Sequence, residues 1–299
     1  MRVRESAQHG QVAAHLPVSI VVLAWACGWF GAGCTPERHP QPYLGYDATP
    51  RCSSSGAVAY MHWPGAGDTR PIGLYVVGLD SLRERLLATD YCQFEWLPGT
   101  DSLLVWRINA PPRMISSVSG DGRTLSVDVW GGSIAPDGQW LAYTTSAVSG
   151  NWNRETVALL NLITGETRDI TPDSMLYSAP SWSPSGDRLV VLGGSRSGSG
   201  IFIIDAAGAP VRRIVAHSGV MRSPAWSPRG DLVAWTEVTG AGALYVVDTL
   251  GTTKRFVTAA REACWEPDGD ALVYAVAVRN VLRLFEYRLS TGRTRQITQ

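Results

Sequence analysis

The sequence predicts an all-β protein, a six-bladed β-propeller of four-stranded antiparallel blades. Three observations predict it. A short phrase recurs six times, the same order of strand-like runs follows each copy, and no repeat shows a sustained helical period. The copies are Trp96-Leu-Pro-Gly-Thr-Asp, Ile134-Ala-Pro-Asp-Gly-Gln, Trp182-Ser-Pro-Ser-Gly-Asp, Trp226-Ser-Pro-Arg-Gly-Asp and Trp265-Glu-Pro-Asp-Gly-Asp, with a degenerate first copy at Cys52-Ser-Ser-Ser-Gly56. They start 44, 38, 48, 44 and 39 residues apart, a spacing that suits one blade per copy.

Each phrase is a turn with a wedge in front of it. Pro fixes φ and cannot donate to a ladder, so it belongs between strands, and the Gly two residues later supplies a positive φ. The Trp ends the preceding strand and can insert between blades, where burial removes about 150–250 Å² of ring from water. A β-rich run follows, such as Leu189–Leu192, Val233–Trp235 or Leu272–Tyr274. After a polar or Gly-rich loop comes a second run, such as Ile201–Ile204 or Leu244–Val247, and then a short charged strand closing on Ile-Thr or its like at Thr171, Thr258 and Thr298. Runs of this length, rich in β-branched and aromatic residues and bounded by Gly, Pro and Asp, are strands. Asp137, Asp187, Asp231 and Asp268 recur with the turns, which gives them a capping role over a catalytic one.

These residues resemble the TolB-type propeller repeat, whose pattern is Pro-x-Trp-Ser-Pro-Asp-Gly followed by strand, loop, strand and a closing Leu/Ile-Thr. Ser178-Ala-Pro-Ser-Trp-Ser-Pro184 and Arg222-Ser-Pro-Ala-Trp-Ser-Pro228 carry the resemblance best. It extends over residues 49–299 and implies a fold that serves many roles. Whether Tyr43–Tyr46 adds a strand that latches the ring stays open at this stage.

The N-terminus reads as a targeting segment. Arg2 and Arg4 precede an apolar run from Leu16 to Gly33, which ends in Gly31-Ala32-Gly33 before Cys34. This resembles the bacterial lipoprotein signal, which implies cleavage of residues 1–33 and acylation of Cys34. A Pro-stiffened tether then covers residues 34–48. An uncleaved anchor over the apolar run is the alternative. A plain signal peptide is a further alternative, and all three readings place the folded part outside the cytoplasm; the lipoprotein resemblance implies a membrane-anchored periplasmic protein, with Thr35 after Cys34 favouring the outer membrane. Besides Cys27 and Cys34 there are Cys52, Cys92 and Cys264, enough for one disulfide in the propeller, with the pair undetermined. No C-x-x-C spacing is present.

Charged residues make up 17% of the chain against 45% hydrophobic, and the formal net charge is zero, so bulk electrostatics gives no case for nucleic acid. No catalytic set emerges. His62 and His217 are the only histidines within the repeats, far apart and without metal-ligand spacing, and each reads as a solvated loop side chain. There is no G-x-S-x-G. Gly193–Gly200 lacks the Gly-Lys-Ser/Thr ending of a phosphate loop and joins strand to strand, so it reads as a hairpin.

Loops between the second and third strands share a rim with the connections into the next blade. Function is expected there, and the partner-binding candidates are His62, Trp63, Trp152, Arg154, Tyr177, Arg196, His217, Arg222, Arg261 and Glu262, accompanied by Arg107, Asn151 and Met221. The opposite rim carries short turns. The expected function is a non-catalytic extracytoplasmic scaffold, a monomeric propeller that needs no cofactor or metal and engages a protein or cell-envelope partner. The competing readings are a channel enzyme of lyase, lactonase or cyclase type and a sensor or assembly module.

Overall fold

In the computed structural model the described residues are 46–298, apart from 66–67, 90–92, 108–109, 127–128, 130, 150–151, 172–175, 196–197, 209–210, 239 and 280. The signal segment, Cys34 and most of the tether lie outside them. Twenty-four strands form six antiparallel blades in chain order. Blade 1 holds β1 (Tyr46–Cys52), β2 (Ala57–Trp63), β3 (Gly73–Gly78) and β4 (Glu84–Ala88). Blade 2 holds β5 (Gln93–Trp96), β6 (Ser102–Arg107), β7 (Ala110–Ser116) and β8 (Gly122–Thr124). Blade 3 holds β9 (Ser133–Ile134), β10 (Trp140–Ser149), β11 (Trp152–Asn161) and β12 (Thr167–Asp169). Blade 4 holds β13 (Leu176–Trp182), β14 (Arg188–Ser195), β15 (Gly198–Asp205) and β16 (Val211–His217). Blade 5 holds β17 (Met221–Trp226), β18 (Leu232–Glu237), β19 (Ala243–Asp248) and β20 (Lys254–Thr258). Blade 6 holds β21 (Glu262–Trp265), β22 (Ala271–Val278), β23 (Val281–Arg288) and β24 (Thr294–Gln296). Among the described residues no helix is long and apolar enough to cross a membrane.

Every copy of the phrase begins on the last residue of a blade's first strand. The first strands contact one another in a closed cycle, β1, β5, β9, β13, β17, β21 and back to β1, so they surround the axis. The phrase then turns the chain: Gly186 N–H donates to Ser183 O and Gly230 N–H to Ser227 O, with left-handed φ of 73° and 80° at the glycines. The closing Thr also has a physical role. Thr171 Oγ1 accepts from Val157 N at 2.9 Å and Thr298 Oγ1 from Leu284 N at 3.0 Å, tying the outer edge of blades 3 and 6 to their third strands.

The core is a ring of six apolar clusters, each shared by two neighbouring blades. The second strands feed both sides. Val58 and Tyr60 pack towards blade 6 while Ala59 and Met61 pack towards blade 2, the two-residue alternation of a strand buried on both faces. Cross-strand aromatic pairs stack inside blades 1, 5 and 6, as Tyr60–Tyr75, Trp235–Tyr245 and Tyr274–Phe285.

The wedges are specific contacts. Trp96 Nε1 donates to Arg51 O at 2.8 Å, Trp182 Nε1 to Ser133 O at 3.0 Å and Trp265 Nε1 to Ala225 O at 3.0 Å. In each case the acceptor is the residue just before the phrase of the preceding blade. Where blade 1 meets blade 6 the wedge position holds Cys52, and it forms a disulfide with Cys264, the residue just before Trp265. The covalent bond therefore occupies the place of the indole link. Tyr46 at the start of β1 adds one parallel pair with Leu282 of β23, a single latching bridge that includes residues assigned to the tether on sequence grounds.

Candidate functional site

Two sets of residues recur at fixed positions around the axis, set by their distance from the phrase. Three residues before it stand Thr49, Gln93, Gly131, Ala179, Ser223 and Glu262; one residue before it stand Arg51, Glu95, Ser133, Ser181, Ala225 and Cys264. Thr49, Ala179 and Ser223 take left-handed φ of 53°, 51° and 48°, and a bulge displaces the register of β1, β13 and β17 at these points. Bulges re-aim backbone and cluster where function needs it. The released N–H groups find partners across blades: Thr49 N donates to Glu262 Oε2 at 2.5 Å and Ala179 N to Thr144 Oγ1 at 3.1 Å. Gly131 takes a left-handed φ of 68°, the region that favours glycine, and the end of the Gln93 side chain lies over it.

The set one residue before the phrase carries an ion pair, Arg51 Nε to Glu95 Oε2 at 3.2 Å between blades 1 and 2. Burial raises the Glu95 carboxyl while Arg51 pulls it down. Neither residue stands out in the sequence until the phrases are aligned and the preceding positions are read as a column.

The sequence-derived candidates separate into groups. Tyr177, Arg222, Arg261 and Glu262 lie on or at the start of the first strands of blades 4, 5 and 6, one arc around the axis. Around this arc the loop rim exposes Leu176, Val220, Val238 and Val278 at 46%, 62%, 39% and 41%. Val238 N donates to Val220 O at 2.9 Å, fastening the loop of blade 5 to the connection entering it. His62 and Trp63 instead end the second strand of blade 1, and His217 ends the fourth strand of blade 4. Trp152 and Arg154 start β11, and their side chains, with Asn151 and Arg196, lie outside the described residues.

Three expectations are corrected. His62 is fully buried rather than solvated, because β2 continues through it to Trp63 and its ring packs edge-on to Tyr75. The following loop covers it, with Asp68 Oδ2 3.4 Å from His62 Nε2. Arg70 clamps that loop through Asp68 at 2.9 Å and Glu84 at 2.7 Å, and its hydrogen bonds hold the Asp68 carboxyl down to about 2. Tyr177 is also buried, at 2% exposure, packed edge-on against Phe202 as a member of the blade 3–4 cluster rather than presented on the rim. His217 is partnered rather than free in a loop, with Nδ1 3.6 Å from the buried Glu237, which also takes Lys254 at 3.2 Å.

A second charged cluster lies on the turn rim, where sequence reasoning expected only connections. At the seam of blades 6 and 1 a cleft of about 330 Å³ is lined by residues including Ser55, Asp80, Glu266, Asp268, Arg288 and Arg295. Burial, reinforced by Glu286 and Asp268, raises the Glu266 carboxyl to about 7. The folded protein therefore holds a proton that the unfolded chain has released, between about 4.5 and about 7. Stability falls as pH rises through that window. Glu266→Gln is expected to flatten this slope and to be the more stable protein at about pH 8, by on the order of 1–2 kcal/mol. Thermal melts of both proteins at several pH values check it, and parallel slopes would refute it.

The signal for this cluster is a break in the repeat. The position of Glu266 holds Ser53, Ser183 and Ser227 in blades 1, 4 and 5, where the hydroxyl caps the turn. The position of Arg288, last in the third strand, holds Asn161, Asp205 and Asp248 in blades 3, 4 and 5, which cap the next turn. Among the described residues no group of three or more His, Cys, Asp or Glu is placed to hold a metal ion.

The sequence of residues 128–299 matches the family described as the TolB beta propeller domain. No curated protein matches the chain. Among solved structures it is similar to a TolB from Acinetobacter baumannii, with 16% identity and a TM-score of 0.66 over 82% of this chain and 63% of that one. A TolB candidate from Agrobacterium tumefaciens gives 18% identity and a TM-score of 0.63, over 75% and 87%. An oligogalacturonate lyase in complex with manganese gives 13% and 0.59, over 86% and 78%. At these identities the likeness is one of fold.

Proposed function

The chain belongs to the TolB β-propeller family, and from that premise we propose that it is a non-catalytic binding scaffold. It works outside the cytoplasm, and it holds a protein segment or other envelope component on its loop rim and at the mouth of its channel. One observation carries this reading. The arc of blades 4 to 6 sets exposed Leu176, Val220, Val238 and Val278 beside Arg222 and Arg261, a mixture of apolar surface and arginine that suits a protein interface. The strained positions beneath it, Ala179 and Ser223, fix the height at which each first strand presents its leading residues. Cys34 anchors the chain by its lipid, and the propeller acts as a monomer.

The test is capture from detergent-solubilised envelope by the immobilised protein. Val220→Asp combined with Arg222→Glu is expected to weaken retention of the specifically captured partner by about tenfold or more. Trp152→Ala reports separately on the loop of blade 3. If all variants retain what the parent retains, or the parent retains nothing above background, the reading fails. A Cys34→Ala chain is expected in the soluble fraction.

A further inference from the structure

We propose that the cleft at the seam of blades 6 and 1 is a binding site for an alkylammonium group seated against Glu266. The site lies on the turn rim, opposite the rim assigned above, and does not depend on that assignment. Glu266 lines the cleft, is 7% exposed, and its Oε1 has no hydrogen-bond partner among the described residues. A buried carboxylate oxygen without a donor is costly, and native structures rarely leave one so. The turn around it is otherwise ordinary: Glu266 N donates to Ala271 O at 2.9 Å and Gly269 N to Glu266 O at 3.0 Å, as at the serine of other blades. The blade does not need the carboxylate, since serine serves the same turn in blades 1, 4 and 5.

The surrounding charges ask for a cation. Five carboxylates stand here, on Asp80, Glu266, Asp268, Asp270 and Glu286, against the guanidinium groups of Arg288 and Arg295, while Arg229 reaches the edge of the cluster from blade 5 and is spent on Asp268 O at 2.7 Å. Arg288 is already shared among Asp268 at 2.7 Å, Asp270 at 3.3 Å and Glu286 at 3.3 Å, and it reaches Glu266 Oε2 only at 3.8 Å. Arg295 is spent on Glu286 and on Leu79 O at 3.2 Å. One oxygen of Glu266 thus remains for a compact donor. An ammonium supplies that as a point charge with three donors, whereas a third planar guanidinium would face two of its own kind. Leu79 and Pro267 give the cleft an apolar wall for the methylene stem, and Ser54, Ser55 and Asp80 give the facing wall acceptors.

The ammonium can come from a free diamine or from a lysine side chain of a partner. The experiment is calorimetric titration of the full chain in detergent with 1,5-diaminopentane in one arm and an acetyl-Gly-Lys-Gly-amide peptide in the other. Saturable binding of either probe is expected, and the arm that binds names the source. Glu266→Gln is expected to weaken it about tenfold or more, and Asp80→Asn by less. Lowering the pH from about 8 to about 5.5 should weaken it similarly, because Glu266, whose carboxyl titrates near neutrality among Glu286, Asp268, Asp270, Asp80, Arg288 and Arg295, must be ionised to pair. Arg222→Glu should leave it unchanged, which separates this site from the loop rim. Equal affinity in Glu266→Gln, with its fold verified by circular dichroism, overturns the proposal, as does failure of both probes to saturate by about 10 mM.

Discussion

Replacing Cys52 and Cys264 by alanine, or reducing the bond between them, is expected to lower the melting temperature by roughly 10 °C. The bond spans 212 residues, so cutting it frees nearly the whole propeller in the unfolded state. Loop-closure entropy at that length is worth about 5 kcal/mol in the chain model, and measured losses run about 2–5 kcal/mol. For a domain of this size each kcal/mol moves the midpoint by about 2–4 °C. The effect is concentrated at one seam because blades 6 and 1 exchange no whole strand; Tyr46 and Leu282 form their one parallel pair. Calorimetry with and without reductant, on the parent and on the double variant, decides it. Identical midpoints for oxidised and reduced protein would mean that the apolar cluster shared by blades 6 and 1 holds the ring without help.

The second large effect concerns the indole wedges. Trp182→Ala or Trp265→Ala is expected to cost about 3–5 kcal/mol, because each ring is at most 8% exposed between two blades and its loss leaves a cavity the rigid sheets cannot close. Phenylalanine at the same positions keeps most of the packing and removes the N–H, leaving Ser133 O or Ala225 O without its donor. That costs about 1–3 kcal/mol. Trp226 is the built-in control: its Nε1 is buried without a hydrogen-bond partner among the described residues, so Trp226→Phe forfeits none of those seen at the other two. Urea melts of the three phenylalanine variants should therefore rank Trp226→Phe as the mildest. Equal losses at all three would show that the N–H contacts add nothing to the packing.

The architecture was legible because the phrase bundles three physical instructions, a wedge, a turn and a strand start, and repeats them at blade spacing. Asp137 and Asp268 cap backbone N–H groups at 2.8 Å as their recurrence implied, and Gly193–Gly200 belongs to a hairpin, in which β14 pairs with β15 out to Ser195 and Gly198. The disulfide was not legible as a pair while the cysteines were counted by number. It becomes so once Cys52 is placed in the wedge column and Cys264 in the acceptor column, since those columns meet where blade 2 joins blade 1, blade 4 joins blade 3 and blade 6 joins blade 5. The burial of His62 is not legible in the sequence, because nothing in the run marks that β2 continues through it to Trp63. Tyr60, two residues before His62, faces the same seam and is equally buried. The Glu266 cluster escaped because recurrence drew attention to what the copies share, while the chemistry sits where blade 6 departs from them.

The path of the chain through blade 1 has a mechanical consequence. Any pull on the segment ahead of Tyr46 enters the ring along β1, beside the axis, and arrives six residues later at Cys52. There the load divides, part passing into the rest of blade 1 and part through the sulfur bridge into β21. A tug that would peel an unlinked edge strand off its neighbour is instead carried by two blades at once, so the fastening toughens the molecule at the point where a leash would strain it.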